Sequence, residues 1–545
     1  MKYPTYIFVF AFFIIQSFAV VGQNNFTEKS YSEIDSVFNS MYQPQNTGAA
    51  FAIIENGITT YKNTKGLANI EHQISITDST AFHIASVSKQ FTTFLALLLE
   101  SEGKLSFEDD IRNHLSELKH LPYKITIKEL TNHTHGLPNI HELMNLKGAY
   151  PQEQMTHKQA VRLLLKTQQT NFEPKEKYEY NNTGYMLLAE IIERVGKKSF
   201  KEQLKEKIFL PLQMNHSEVI DDVNILVKNK AYSYKLVNGQ YQNHPLQLAT
   251  IGSSGINTTI NDLILWAKNY QNPVVGSKEF YEKMQQATYL TSEKKINYGL
   301  GLQFGKYKGL DVVFHGGGDV GYRSYILHVP TKNISLVILA NTNDFSALKM
   351  VHQTLDILFK DELKEEKPQT IQPTHAQLKK HEGIYEFYPS VYFNILAEKD
   401  ILYFQSYGTK DKNPLPIFDK NTFLFPYIPY SKFIFYEDKF DFHIADFMYE
   451  CKKINLPSFE TEKIVLENFI GKFRNEEYAI DFELVLGNNH LIVKRAFDNI
   501  ELKPLTQNSF YSPQLGKLDF IFDKNGEVQE FRISGQNFKN IVFKK

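Results

Sequence analysis

The chain has 545 residues, too many for one folding unit at ~100–200 residues per domain, and its 42% apolar and 22% charged content is that of a globular protein, not a disordered or multi-span membrane chain. Lys and Arg number 60 against 61 Asp and Glu, so the formal charge of -1 offers no field for a phosphate backbone or an anionic lipid, and nucleic acid is excluded as a natural partner. The single cysteine, Cys451, rules out an intrachain disulfide.

The chain opens with Lys2 and an apolar run from Ile7 to Val21, broken only by Gln16 and Ser17 and followed by Gly22. About 15 residues is short for a membrane span of ~20, so residues 1–22 read as a cleaved secretory signal, with an uncleaved anchor as the alternative. A periplasmic or secreted protein with no span after cleavage is expected. From Gly48 to about Leu67 apolar and polar residues alternate around Asn56-Gly57, which predicts a hairpin. After Thr80, Phe91, Phe94, Leu95, Leu97, Leu98 and Leu99 predict a helix buried on most sides, beginning at or near Ser86 and ending at Gly103. Between Leu105 and about Leu248 the periodicity is mainly helical, with stops at Gly196 and Pro211. Strand signals return over 299–304, 311–314, 322–329 and 334–340, before an amphipathic helix over 348–359. Strands at both ends with helices between predict one sheet assembled from distant segments.

A charged, proline-bearing linker over 361–374 leads into an aromatic-rich all-β tail. HEGIYEFYPSVYFNILAEKDILYF is echoed by NFIGKFRNEEYAIDFELVLGNNHLIV, so two related β units are expected, 375–458 and 459–545. Closing each into a small barrel would hide its edge strands, with Tyr392, Phe393, Tyr403 and Phe404 filling interiors.

Three motifs could carry chemistry. Ser86-Val87-Ser88-Lys89 puts a hydroxyl and an amine on one helix face, where burial lowers the lysine pKa toward a form that can accept a proton. The helix start adds a backbone N–H suited to an oxyanion. The spacing alone is weak, because it recurs at Ser101/Lys104, Ser116/Lys119, Ser292/Lys295 and Ser346/Lys349; the buried helix behind Ser86 is what sets it apart. Tyr180-Asn181-Asn182 offers a phenol to relay protons and an amide to orient a carbonyl or hold the lysine. His315-Gly316-Gly317-Gly318 after the strand DVVF is either a tight turn or a place where substrate meets a sheet edge and an N–H donor. There is no Gly-x-Ser-x-Gly elbow and no His-Glu-x-x-His helix, and no cofactor or metal is expected. His133-Thr134-His135-Gly136 reads as structural, with metal binding the alternative if His141 or Glu142 lay near.

Together with FHIASVSKQFTTFLALLLESEGKLSFEDDI, YEYNNTGYMLLAEIIERVGKKSF, IGSSGINTTINDLILWAKN and FHGGGDVGYRSYILHVP, these motifs resemble the class C β-lactamase and penicillin-binding-protein-like serine hydrolases over about residues 45–345. The tail resembles the lipocalin-like β domains behind some members. The resemblance implies an α/β (α+β) β-lactamase/transpeptidase-like catalytic domain over 23–360, with an antiparallel sheet, a helical lobe and a groove between them. Ser86 would form an acyl-enzyme, with Lys89 and Tyr180 as the other catalytic residues. Asn182, His315, Gly317 and Gly318 would bind substrate, and the N–H groups of Ser86 and Gly318 would form the oxyanion hole. Small-molecule or peptide substrates follow: D-amino-acid peptides or esters, with β-lactams the runner-up and an inactive peptide- or muropeptide-binding protein the reading from another class. Dedicated β-lactamases carry lysine where this chain has His315. If that histidine, with an ordinary pKa of ~6.5, were the substrate's cation, KM for carboxylate substrates would rise between about pH 6 and 8.

Overall fold

At Asn56 and Gly57 the backbone takes φ values of 50° and 79°, the two left-handed positions of a tight hairpin turn, and this joins β1 (Ala49–Glu55) to β2 (Ile58–Lys65). The computed structural model describes residues 26–41, 46–148, 153–364, 372–425, 431–444, 447–456 and 464–545. The signal-like segment and residues 365–371 of the expected linker lie outside them. Four later strands, β3 (Gln303–Tyr307), β4 (Leu310–Asp319), β5 (Tyr322–Val329) and β6 (Ile334–Ala340), complete an antiparallel sheet of order β3–β4–β5–β6–β1–β2. β1 pairs with β6 over its whole length, from Ala49 opposite Ala340 to Glu55 opposite Ile334, so the first and last strands of the domain close the sheet core.

Every residue of β1 and β6 is buried, because both faces of the sheet are covered. Ala49, Phe51 and Ile53 point to a layer formed by α1 (Glu28–Ser40) and α5 (Ala347–Leu358). Ala50, Ala52 and Ile54 point to the opposite layer, which holds α2 (Ser88–Ser101), α3 (Asn182–Gly196) and α4 (Ile260–Gln271). In α2, Phe91 stacks on Trp266 of α4 at 4.1 Å and Phe94 meets the same indole edge-on at 5.2 Å. This anchors the helix that follows Ser86.

The region expected to be mainly helical also holds a hairpin, Tyr234–Val237 with Gln240–Asn243, turning at Asn238-Gly239. The glycines after His315 also depart from a tight turn. Gly316, Gly317 and Gly318 continue β4 and pair with Tyr325, Ser324 and Arg323 of β5.

In the tail, eight strands between Gly383 and Ile454 form one antiparallel sheet whose outermost strands, Lys412–Leu415 and Thr422–Leu424, are joined by a short connection instead of a ladder. The eight strands between Gly471 and Lys544 close into a barrel. Both units open on a glycine of unusual φ, 156° at Gly383 and 151° at Gly471. At each, a lysine stem from the unit's final stretch occupies the space a Cβ would need, Lys453 in one and Lys545 in the other. Phe404 joins the interior of the first unit and Phe393 packs half-buried against it. Tyr392 does not. It lies against Tyr511 of the barrel at 5.3 Å, and Tyr403 lies beneath Lys412, because alternate residues of a strand face opposite sides. The barrel also packs on the helical lobe. Arg495 donates to the carbonyls of Asn145 and Leu146 at the end of the helix Ile140–Lys147, and Tyr478 donates to Thr167 at 3.3 Å.

Candidate active site

Ser86 lies in a single 3-10 turn, Ala85–Val87, immediately before α2. Ala85 is held at φ 46°, a left-handed conformation that costs an L-residue roughly 1–2 kcal/mol. That turn swings the chain out of the strand Phe82–His83 and leaves Ser86 half-buried at a groove. Lys89, one turn on, has no exposed surface.

The Lys89 Nζ has three neighbours: Ser86 Oγ at 3.1 Å, Asn182 Oδ1 at 2.7 Å and the main-chain oxygen of Ser253 at 3.0 Å. Burial holds its pKa well below the ordinary lysine value, against a smaller upward pull from the Asp319 carboxylate. A neutral amine carries two hydrogens and one lone pair. Asn182 Oδ1 and Ser253 O can only accept, so they take the two hydrogens and the lone pair falls toward the Ser86 hydroxyl. The Asn182 amide is oriented from its far side, where Nδ2 donates to His141 Nδ1 at 3.0 Å.

Tyr180 completes the cluster. Its phenol is close enough to the Ser86 side chain for that hydroxyl to pull its pKa down against burial, and Lys89 Nζ lies 4.9 Å over its ring. Burial raises the phenol's pKa, so it stays protonated and has a proton to donate. The His133 ring packs on Tyr180 at 4.3 Å, its Nδ1 accepts from Asn181 N at 3.1 Å, and its carbonyl accepts from Glu179 N at 2.9 Å. His135 Nδ1 accepts from Leu137 N at 2.9 Å. The His-x-His pair therefore shapes the loop that carries Tyr180. Among the described residues no group of three or more His, Cys, Asp or Glu is arranged to hold a metal ion.

β4 runs alongside the Ser86 turn. A Cβ at Gly317 would stand 2.4 Å from Ile84 O, 2.3 Å from Ser324 Oγ and 3.2 Å from Ser86 N, so only glycine lets the strand pass this close. Gly317 acts by its missing side chain and is not among the residues that line the groove. Gly318, next along, does line it. His315 does not point where a substrate carboxylate would need it. Its Nδ1 donates to Gly316 O at 2.7 Å and its Nε2 accepts from the Tyr298 hydroxyl at 3.0 Å. Burial is the main cause that pushes its pKa down to about 3. It is neutral at physiological pH, so the rise in KM expected from its titration between pH 6 and 8 is withdrawn.

The groove is a cavity of about 350 Å³ lined by Ser86, His141, Asn182, Gly318, Asp319 and Arg323, with Thr250 and Ser254 at its wall. The turn GSSG supplies both that wall and the Ser253 carbonyl. Gly252 and Gly255 stand at φ 88° and 92°, and a Cβ at Gly252 would collide with Tyr185 O at 2.2 Å. His141, Asp319 and Arg323 line the groove without belonging to any of the three motifs. Asp319 directly follows the glycine run, which is the one local signal that marks it.

A sequence profile of the family described as Beta-lactamase matches residues 34–358, more than half of the chain. The chain belongs to the β-lactamase family. Among relatives in this family of β-lactamase- and penicillin-binding-protein-like serine hydrolases, it is similar to the D-aminopeptidases of Brucella abortus (strain S19) and Brucella melitensis biotype 2, with 28% identity over 322 residues. The match covers 58% of this chain and spans 61% of the length of those relatives. The octameric penicillin-binding protein homologue of Pyrococcus abyssi superposes with a TM-score of 0.56 at 26% identity, over 78% of this chain and 99% of that one. The D-amino acid amidase of Ochrobactrum anthropi SV3, complexed with D-phenylalanine, shares the fold of this β-lactamase-family chain at a TM-score of 0.53 and 19% identity, over 61% and 100% of the two chains.

Proposed function

We propose that the protein is a periplasmic or secreted serine hydrolase that cleaves amide or ester bonds of small D-amino-acid substrates through an acyl-enzyme on Ser86. The observation that carries this reading is the Lys89 amine, fully buried and held toward its neutral form, standing 3.1 Å from the Ser86 hydroxyl. Ser86 Oγ attacks the carbonyl carbon as its proton passes to Lys89 Nζ. The oxyanion is received by the N–H groups of Ser86 and Gly318, and Tyr180 relays the proton from the new ammonium to the departing amine or alkoxide. Water then attacks the ester carbonyl, returns a proton through the same pair, and frees the acid and Ser86. The Brucella D-aminopeptidases and the Ochrobactrum D-amino acid amidase support the choice of D-amino-acid amides as substrate class. Among the described residues no helix is long and apolar enough to cross a membrane.

A fluorophosphonate probe is expected to label the wild type and not Ser86→Ala. D-aminoacyl p-nitroanilides should be hydrolysed faster than nitrocefin or a D-Ala-D-Ala peptide. Failure of both labelling and turnover would leave a binding protein in place of an enzyme.

A further inference from the structure

Beyond the nucleophile and its base, the groove contains a carboxylate that the acyl-transfer chemistry does not use. Asp319 is the residue after Gly318 on β4, in the same cavity as Ser86 and Asn182. One rise along a strand is ~3.3 Å, so its backbone is anchored within a few ångströms of the N–H that would hold the oxyanion. Its Oδ2 is tied to His83 Nε2 at 3.1 Å, and the side chain keeps 17% of its surface accessible. The other oxygen makes no hydrogen bond among the described residues, and the carboxyl stays ionised. Burial alone would raise its pKa, but the His83 hydrogen bond, with the Arg323 charge among the lesser pulls, outweighs that and lowers it.

The surrounding groups set the sign of the groove. Lys89, His141 and His315 are each held toward their neutral forms by burial. Arg323 also lines the cavity and keeps its charge, but its Nη1 donates to the carbonyls of Val320 at 3.1 Å and Tyr322 at 2.7 Å, and among the described residues it makes no ion pair with Asp319. A half-buried anion with an open acceptor position is satisfied best by a cation that enters with the substrate.

Resting on the reading of Ser86 as nucleophile, we infer that Asp319, braced by His83, is the specificity determinant that receives a protonated amine on the acyl side of the substrate, next to the scissile carbonyl. The substrates are then amides or esters of amino acids with a free amino group. N-acylated amino acids bring no cation to the open Asp319 oxygen, and those with an anion at this position meet it in repulsion. Preference for the amino terminus of a peptide follows directly, since only the first residue offers that amine.

The test uses the full chain without its signal segment and reads binding and turnover separately. Binding of D-alaninamide and of N-acetyl-D-alaninamide to Ser86→Ala is measured by calorimetry, with and without Asp319→Asn. Hydrolysis of D-alanine p-nitroanilide and its N-acetyl counterpart is measured in the proteins that retain Ser86. The free amine is expected to be preferred about tenfold or more in both measurements. Asp319→Asn should collapse that ratio toward one, and Asp319→Glu, which keeps the charge, should retain most of it. A ratio near one in the wild-type background, or an Asp319→Asn variant that weakens both ligands equally and keeps their ratio, overturns the assignment. Amine-selective binding that depends on Asp319 in a protein with no turnover would uphold it while removing the hydrolase reading.

Discussion

Asn537, at the turn between the last two strands of the C-terminal barrel, donates a side-chain hydrogen bond to the main-chain carbonyl of Tyr180 at 3.2 Å. Its own carbonyl accepts from Asn139 N at 3.0 Å, and Asn139 Oδ1 in turn accepts from Asn182 N at 3.4 Å. The barrel therefore touches the backbone of Tyr180 directly and reaches that of Asn182 through Asn139. Asn537 stands at φ 56°, where asparagine and glycine are tolerated and alanine is strained. Asn537→Gly removes the amide without altering the turn. One hydrogen bond is worth about 1 kcal/mol, so a fall in kcat of roughly fivefold is expected if that energy holds Tyr180 in place. The measurement is steady-state hydrolysis of a p-nitrophenyl ester beside the denaturation midpoint. Loss of stability with unchanged kcat would reduce Asn537 to a packing role.

In the proposed mechanism the protonation state of Lys89 sets the acid limb of activity. Its pKa is depressed mainly by burial, and the Asp319 carboxylate pulls in the opposite direction because it favours the ammonium. Activity therefore persists below the ordinary lysine range and is lost as pH falls through the lowered pKa. Asp319→Asn removes the opposing pull, so the acid limb of kcat/KM for a neutral ester should move to lower pH. A limb that stays in place, or moves up, would show that the ionisation governing the rate is not that of Lys89.

The parts of this site that were legible in the sequence are the local ones. Ser86 and Lys89 are one helical turn apart, and Asn56-Gly57 fixes its hairpin by turn chemistry alone. The Asn238-Gly239 hairpin carried the same signal within a stretch whose helical period outweighed it. His315 could be placed on a strand but its charge could not. The ordinary imidazole value gives way to about 3 mainly because the fold buries the ring. The Ser253 carbonyl, the His141 ring and the Asn537 amide act through partners 41 to 357 positions away, and no periodicity records such pairings. The glycines after His315 were visible as a run, but whether they served a turn or a close approach depended on where Ile84 and Ser324 stand.

Gly317 tests that close approach. Its φ is not left-handed, so alanine is permitted by the backbone and forbidden by space: the new methyl would stand 2.4 Å from the Ile84 carbonyl and 2.3 Å from Ser324 Oγ. Relieving the overlap must push β4 away from the Ser86 turn, a rearrangement that typically costs 1–3 kcal/mol. Gly317→Ala should slow fluorophosphonate labelling of Ser86 by about tenfold or more, since the strand carries the Gly318 N–H. Gly305, also within the sheet, has open space at its Cβ position, so Gly305→Ala is the control expected to label at the wild-type rate. Equal labelling of both variants would mean that the strand's approach to Ser86 is not needed for reactivity.

Glu179, one residue before Tyr180, links stability to pH. Burial raises its pKa from the ordinary 4.5 to about 7, against a weaker pull from Lys177, and its Oε1 finds no hydrogen-bond partner among the described residues. Between these two values the unfolded chain ionises while the folded one keeps its proton. The stability contributed by the neutral carboxyl is full below about pH 4.5 and is lost as pH rises through 7, a change on the order of 3 kcal/mol. Glu179→Gln has no charge to bury, so it should unfold at a higher denaturant concentration than the wild type at pH 8 and at nearly the same concentration at pH 5. The emission of Trp266, the sole tryptophan, reports the transition from within the catalytic core. Identical midpoints at pH 8 would mean that the carboxylate is accommodated in its ionised form, and that the loop bearing Tyr180 is not loosened by alkaline pH.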